Sequence, residues 1–586
     1  MTSRSLLEGF GSVAIDDVEL VRSRWVLVVA ATLVVGCTDR GSAPQDPPGS
    51  GAAGAAGGIS GSGGRAGDGG AGGTAGRLAV AGSAGAGGSA AGTAGTGGAA
   101  GSGQALGVSP FDWVGVIGTG QSLSVGCCDS VPISTSQPFQ NLKLEDSGPD
   151  PKYPLDGTGT PNWAAVPLTE PIRAPVPGYG NCSYPPDNCQ YPNNIFLKSE
   201  TPHSGMANQL SASWRARGGD YVSAHSVVGV GGSLLMYIAK GTGSYKAGLS
   251  EARAFGQLAK SAGKSYGVGG IVLTHGEADA NNPDYATALY TFWQDYNADL
   301  KLATGQTRDV VLFASQQSTT AAPTDSSAVW LWRASLDHPG QIVCTGPKYQ
   351  YAYSDGLHMT AAGYRALGEK YAEVFDIVVN QGLPWKPLGP RRVSRTGATI
   401  TVDFDVPNPP LTWDETIQAA HKQDHTAWAN GRGFEIEDGA GNEIAIASVE
   451  IQGDSVILTL AQAPALDVKL RLAYATTPDV QGFPKGTALH GQLRDSDELV
   501  GYDAAKLQVQ MTSGSADVTA AAGVFAGRAG RDLVEAAGLP KGTSVVAINA
   551  DALTLSSPWS GTTGVAELAF HHDQHNYCVH FSLAVP

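Results

Sequence analysis

The sequence predicts an α/β domain, its sheet covered by helices on both faces, followed by a β-sandwich that carries a smaller β-rich insertion. Two observations lead to this reading. Between residues 106 and 386, short apolar runs alternate with amphipathic stretches of helical period, the pattern of buried strands joined through helices. After Pro387 the hydrophobic period becomes two, as in strands with one buried face.

Residues 1–36 read as an export signal. Arg22 and Arg24 precede an apolar run from Trp25 to Val35, too short for the ~20 residues of a membrane span but suited to the core of a signal peptide. It ends in Leu33-Val34-Val35-Gly36-Cys37, which is similar to the bacterial lipobox. That similarity implies lipidation of Cys37 and an exported, membrane-anchored lipoprotein at the cell surface or in the periplasm, touching membrane only through its anchor. Residues 37–105 are rich in Gly, Ala and Ser with hardly a large apolar side chain, and 41–105 hold 25 of the chain's 79 glycines without a three-residue period. Such a stretch cannot offset the entropy of ordering and reads as a disordered tether.

Charge and cysteine content narrow the classes further. With 53 acidic and 37 basic side chains the formal charge is −16, the wrong sign for gripping a phosphate backbone, so nucleic acid is not an expected partner. Beyond Cys37 the cysteines are Cys127, Cys128, Cys182, Cys189, Cys344 and Cys578, an even set that suits an oxidising compartment. Cys182 and Cys189 bracket a Pro/Asn/Asp-rich loop and form the easiest local pair. Neighbouring Cys127 and Cys128 cannot readily bridge each other, and one of them is expected to reach Cys344, although sequence leaves the connectivity open.

Within 106–386, Val114–Ile117, Val227–Val230, Ile271–Leu273 and Val310–Phe313 read as buried strands. A helix is expected over 284–301, where Tyr285, Ala288, Leu289, Phe292, Tyr296 and Leu300 share a face, and another over 361–380 with Thr360 as its cap. Within 387–586, alternation at Ile400–Phe404, Phe434–Ile436, Val456–Leu460 and Val468–Leu472 gives sandwich strands, with turns at Asp438-Gly439 and Gly453-Asp454. Residues 512–569 read as a β insertion interrupting the last hairpin, between 502–510 and 576–583.

Four polar motifs fall just past strand ends, where open α/β sheets collect their ligands. Gly120-Gln121-Ser122 follows the first strand, Gly231-Gly232-Ser233 the second and His275-Gly276-Glu277-Ala278-Asp279 the third; Asp355-Gly356-Leu357-His358 precedes the last helix. An aspartate three residues before a histidine in one loop can hold the imidazole while its far nitrogen faces a nucleophile. The GxSxG elbow of α/β-hydrolases is not matched, because Ser124 follows Ser122 by two, and the third glycine of a dinucleotide fingerprint is missing.

In order and spacing these blocks resemble the SGNH hydrolases, in particular the sialate O-acetylesterase-like carbohydrate esterases. The resemblance covers about 106–384 and implies a flavodoxin-like three-layer α/β/α domain and ester hydrolysis without metal or cofactor, usually removal of acetyl groups from glycans. It further implies Ser122 as nucleophile, His358 as general base and Asp355 as its orienting carboxylate. The oxyanion would meet the backbone N–H of Ser122 and of Gly231 or Gly232, helped by a side chain of the third block. Where these esterases usually carry glutamine, this chain has His275, so His275 is the expected oxyanion donor, with Gln121, Glu277 and Asp279 in support. Glu277 is expected to tie its loop to neighbouring backbone N–H groups.

The remaining candidates read as structural. His571, His572, His575, Cys578 and His580 crowd the C-terminus, and His571 with His575 has the i, i+4 spacing that suits a metal on a helix, but the surroundings read as loop and strand, and no metal is expected. His421 and His425 read as solvated, and Met206–Gln209 as a helix start. The expected activity is hydrolysis of esters on an acylated carbohydrate. The alternatives are a short-chain lipase or aryl esterase using the same residues on a small ester, or a glycan-binding surface protein without turnover.

Overall fold

The computed structural model describes residues 109–126, 131–146, 162–172, 199–322, 325–478, 488–497, 501, 506–525, 533–540, 543, 545–571 and 574–586. Residues 1–36, expected to be a signal peptide, Cys37, the expected tether and four of the disulfide candidates, Cys127, Cys128, Cys182 and Cys189, lie outside these residues.

Val114, Val116 and Ile117 are fully buried, because the strand that carries them is covered on both faces; this is why its sequence reads as one apolar run. That strand, β1 (Trp113–Gly120), is the fourth of seven in a mixed sheet with β2 (Leu142–Asp146), β3 (Trp163–Pro167), β4 (Ser223–Val227), β5 (Tyr266–Thr274), β6 (Val311–Ser315) and β7 (Ile342–Cys344), in the order β3-β2-β4-β1-β5-β6-β7. All neighbours run parallel except β2 and β3. The helices are α1 (Pro202–Ala216), α2 (Gly243–Ser261), α3 (Tyr285–Thr304), α4 (Ser327–Asp337) and α5 (Ala361–Phe375). Val114, Val116, Val272 and Phe313 pack with Met206 and Leu210 of α1 and Phe375 of α5. On the opposite face Ile117, Ile271 and Leu312 pack with Leu249 of α2, Leu289 of α3 and Leu331 of α4.

Several boundaries shift. The strand expected at 227–230 is β4, four residues earlier, because Ser223, His225 and Ser226 are buried despite their polarity. His225 Nδ1 lies 3.0 Å from His203 Nδ1, and its Nε2 lies 2.6 Å from Ser223 Oγ, so these three side chains satisfy one another, whereas Ser226 Oγ is buried without a hydrogen-bond partner. Met206–Gln209 falls in the body of α1, whose cap is Thr201, accepting from the His203 N–H. The helix expected over 361–380 is α-helical to Phe375 and finishes as a π-turn over Asp376–Asn380.

Cys344 is a correction. At the end of edge strand β7 its thiol is free and packed into the larger core, where burial pushes it up to about 12. With its thiol free, Cys344 does not form the bridge expected from Cys127 or Cys128.

A second buried polar cluster ties the segment after β1 to the start of α1. Glu200 accepts from the Ile133 and Ser134 N–H groups and from Ser134 Oγ. Glu170 Oε1 accepts from Thr201 N, Thr201 Oγ1 and Ser204 Oγ, while its Oε2 is buried without a partner. Burial first, and then the charge of Glu200, push the Glu170 carboxyl up to about 8. A carboxyl raised above its ordinary ~4.3 contributes stability that is complete below that value and lost as pH rises through 8. Glu170→Gln is therefore expected to melt higher than the parent at pH 9 and near the parent at pH 4; an equal change at both values would exclude this titration.

Beyond residue 388 the chain forms β-sheets. β8 (Gly389–Thr396), β9 (Thr399–Asp405), β12 (Ile446–Gln452) and β13 (Ser455–Leu460) make one sheet, in the order β12-β13-β9-β8; β11 (Phe434–Asp438), β14 (Leu470–Tyr474) and β22 (Phe581–Val585) make another, and β10 (Thr412–Trp413) pairs with β15 (Leu493–Arg494). The alternation expected at Ile400, Val402 and Phe404 is the buried face of β9. The turn expected at Asp438-Gly439 spans Asp438 to Asn442, with Gly441 left-handed at φ +83°. His421, expected in solvent, is buried against Trp428.

The insertion is wider than 512–569. β16 (Lys506–Met511), β17 (Asp517–Thr519), β18 (Leu533–Glu535), β19 (Val545–Ile548), β20 (Ala552–Leu555) and β21 (Gly564–His571) form their own six-stranded sheet, in the order β18-β21-β16-β17-β20-β19. Val534 N–H donates to Thr543 O (2.8 Å), bringing the sheet's two ends together around a core of its own. β16, assigned by sequence to the sandwich, belongs here, and β22 pairs instead with β14.

The larger core runs without a break from the α/β sheet into these β-sheets. Trp332 of α4 and Phe581 of β22 meet with ring centroids 6.1 Å apart.

Candidate active site

The C-terminal ends of β1, β4 and β5 and the loop after β7 bring the four motifs to one rim. Gly120 ends β1 with φ +135°, and a Cβ there would lie 2.1 Å from the carbonyl oxygen of Thr274, so only glycine lets β1 turn while still paired with β5. A single 3₁₀ turn, Ser122–Ser124, follows, locked by Ser124 Oγ donating to Gln121 O at 2.7 Å. Gln121 then joins the first motif to the third: its N–H donates to Thr274 O, and its Oε1 accepts from the Ala278 N–H at 3.2 Å.

Ser122 Oγ lies 2.9 Å from His358 Nε2, and His358 Nδ1 lies 2.8 Å from Asp355 Oδ2. The carboxylate only accepts, so Nδ1 carries the proton and Nε2 offers its lone pair to the serine hydroxyl. The other oxygen of Asp355 accepts from the N–H groups of Leu357 and His358 at 2.9 and 2.6 Å, which fixes the loop. Partial burial raises the Asp355 carboxyl, but the hydrogen bond and charge of His358, with these backbone donors, outweigh it and hold the group below its ordinary value. It stays ionised wherever the imidazole is to be oriented.

The second motif lies beside this turn. Val230 N–H donates to Gly120 O (2.9 Å), and a Cβ on Gly229 would sit 2.0 Å from Ser124 Oγ. Gly232 is left-handed (φ +69°) with open space beside it, and both it and Gly231 are accessible, as backbone donors to a bound oxygen must be.

His275 is not free to donate to an oxyanion, which corrects the expectation from sequence. Its Nε2 lies 2.9 Å from Ser233 O and its Nδ1 2.8 Å from Tyr285 Oη. A carbonyl can only accept, so Nε2 holds the single ring proton and spends it on Ser233, while Nδ1 accepts from the tyrosine. Burial keeps the ring neutral by lowering its pKa, against the nearby charge of Asp279. Asp279 in turn accepts from the Leu235 N–H at 2.7 Å. His275 and Asp279 thus hold the second motif from behind. His275→Ala is expected to strand a buried carbonyl and cost about 1–3 kcal/mol of stability, with turnover reduced less than about tenfold. Direct oxyanion donation would instead cost ~10²–10³ in kcat.

Glu277 is a second correction: it pairs with a side chain rather than with backbone. Its Oε1 lies 2.6 Å from Lys348 Nζ, and both side chains are wholly buried. Sequence reasoning missed Lys348, which follows Gly346-Pro347 in a loop without a motif, and Tyr285, which had been assigned to the apolar face of its helix. Of the C-terminal histidines, His575 Nδ1 donates to Asp497 O, His580 is buried between two partners, and His572 lies outside the described residues.

No protein-family model matches the chain, and no curated protein does. Among solved structures it is similar to XAC1771, a carbohydrate acetylesterase from Xanthomonas citri, at 14% identity over 66% of this chain and 81% of that one, with a TM-score of 0.38. Protein AT4G34215 from Arabidopsis thaliana matches at 14% identity, 45% and 98% coverage and a TM-score of 0.30. NanS matches at 14%, 46% and 98%, with a TM-score of 0.29. Likenesses this distant carry no argument about activity, which rests on the geometry of the site.

Proposed function

We propose that the chain is a serine esterase that hydrolyses carboxylic esters, acetyl esters foremost, on carbohydrates through Ser122, His358 and Asp355. The observation that carries the reading is the unbroken relay from Ser122 Oγ through His358 to Asp355, at 2.9 and 2.8 Å, on the rim where the strands of a parallel sheet end. Ser122 attacks the ester carbonyl as His358 Nε2 takes its proton, and Asp355 stabilises the imidazolium. The proton passes to the leaving alcohol, and an acyl-serine remains. Water, deprotonated by the same nitrogen, then releases the acid and restores the serine. The N–H groups of Ser122 and of Gly231 or Gly232 are the proposed donors to the tetrahedral oxyanion.

The carbohydrate part is supported by the resemblance of the four motifs to the sialate O-acetylesterase-like branch of the SGNH hydrolases. In this reading the α/β/α domain is of that type, the β-sheets after residue 388 form an accessory sandwich, and the enzyme is exported and tethered through lipidated Cys37. The test is acid release from nitrophenyl esters and acetylated glycans by the chain and by its Ser122→Ala variant. Serine-dependent acetate release from glycans supports the reading. Release from nitrophenyl esters alone moves it to a short-chain or aryl esterase, and glycan binding without any release overturns it.

A further inference from the structure

We propose, on the esterase reading, that Lys348 is a positioning residue for the catalytic rim and that the β-sheet region sets it from outside through Ser318 and His580. Lys348 stands where three parts of the molecule meet. Its Nζ holds Glu277, and so the motif whose His275 and Asp279 support the Gly231–Ser233 turn. Its carbonyl accepts from Tyr353 Oη (3.3 Å) at the base of the loop carrying Asp355 and His358. Its own N–H donates to Ser318 Oγ at 3.1 Å.

Ser318 connects this arrangement to the β-sheets. His580, just before β22, has Nδ1 within 2.6 Å of Ala475 O, so Nδ1 carries the ring proton; burial pushes the imidazole down to about 4 and keeps it neutral. Its Nε2, 2.8 Å from Ser318 Oγ, is therefore an acceptor, and the Ser318 hydroxyl donates to it while accepting from Lys348. Every proton in the chain of contacts has one consistent assignment. Gln316 adds a two-way clamp: its Oε1 accepts from His580 N–H and its Nε2 donates to His580 O, each at 2.9 Å. Leu489 N–H donates to Ser318 O, and Tyr349 Oη to Cys578 O. The segments after β6 and β7, which flank the rim, are thus held by the C-terminal strand region as well as by their own sheet. The other oxygen of Glu277 is buried without a hydrogen-bond partner, so its position depends on Lys348.

The test uses the full chain with Ser318→Ala, His580→Leu and His580→Gln, measuring kcat and KM on nitrophenyl acetate. Ser318→Ala and His580→Leu are expected to lose about tenfold in kcat, within the ~10² that a displacement of ~1 Å can cost, with KM within twofold. His580→Gln restores an acceptor for Ser318 and is expected to recover most of that loss, a rescue that general destabilisation would not produce. Should His580→Leu fail to fold, Ser318→Ala, a smaller change, decides alone. Parental kcat in Ser318→Ala, or in a folded His580→Leu, overturns the proposal. Absence of Ser122-dependent turnover in the parent chain overturns the esterase reading instead.

Discussion

Ser122→Ala is expected to lower ester hydrolysis by about 10⁴-fold or more while leaving the fold intact, since it removes one oxygen from a turn that its neighbours hold. The turn is fixed by Gly120 against Thr274 and by Ser124 on Gln121, and neither contact uses the Ser122 hydroxyl. The lost Oγ is the atom 2.9 Å from His358 Nε2, and no other described side chain is hydrogen-bonded to that nitrogen. Asp355→Asn is expected to be milder, roughly 10²- to 10⁴-fold, because an amide can also donate and so permits the wrong imidazole tautomer. Titration of active serines with a fluorophosphonate, alongside kcat, checks the order: Ser122→Ala should not label, and Asp355→Asn should label slowly. Equal labelling of Ser122→Ala and parent would put the nucleophile elsewhere.

Breaking the Glu277–Lys348 pair should produce the largest loss of stability of any single substitution at the rim. Both side chains are wholly buried at 2.6 Å, so Lys348→Met leaves a carboxylate in the interior with neither water nor counter-charge. Removing one partner of such a pair costs about 3–5 kcal/mol, a large part of the ~5–15 kcal/mol by which domains are stable. Replacing both, as in Glu277→Leu with Lys348→Met, should recover most of it, because the mutual attraction and the desolvation of two ions nearly cancel. Urea unfolding midpoints of the two single variants and the double variant check this. A double variant as unstable as the worse single one would mean that packing, and not charge, fixes this place.

The same site shows what the sequence makes legible and where it stops. Ser122, Asp355 and His358 could be singled out because each sits in a short motif at a strand end, and local chemistry constrains such positions. Lys348 could not: its partner is 71 residues away, and a buried lysine looks like a surface one until the fold surrounds it. His275 was visible as a residue but not as a role, because the role depends on what faces each ring nitrogen, here Ser233 O and Tyr285 Oη. Among the strands, β1 and β5 were legible from apolar runs, whereas β4 was displaced because Ser223 and His225 satisfy one another in the interior. The insertion was underestimated because β16 alternates in period two like its neighbours, and periodicity does not say which sheet a strand joins.

The six-stranded insertion leaves and re-enters the chain at one place, since Lys506 and Ala569 face each other across the β16–β21 ladder. Two ends already at strand spacing, ~5 Å apart, can be rejoined by a few residues at little loop-closure cost. The module is thus a detachable graft: it can be lost, exchanged or lengthened without rerouting the chain that frames Ser122, leaving the chemistry and the reach of the molecule free to change separately.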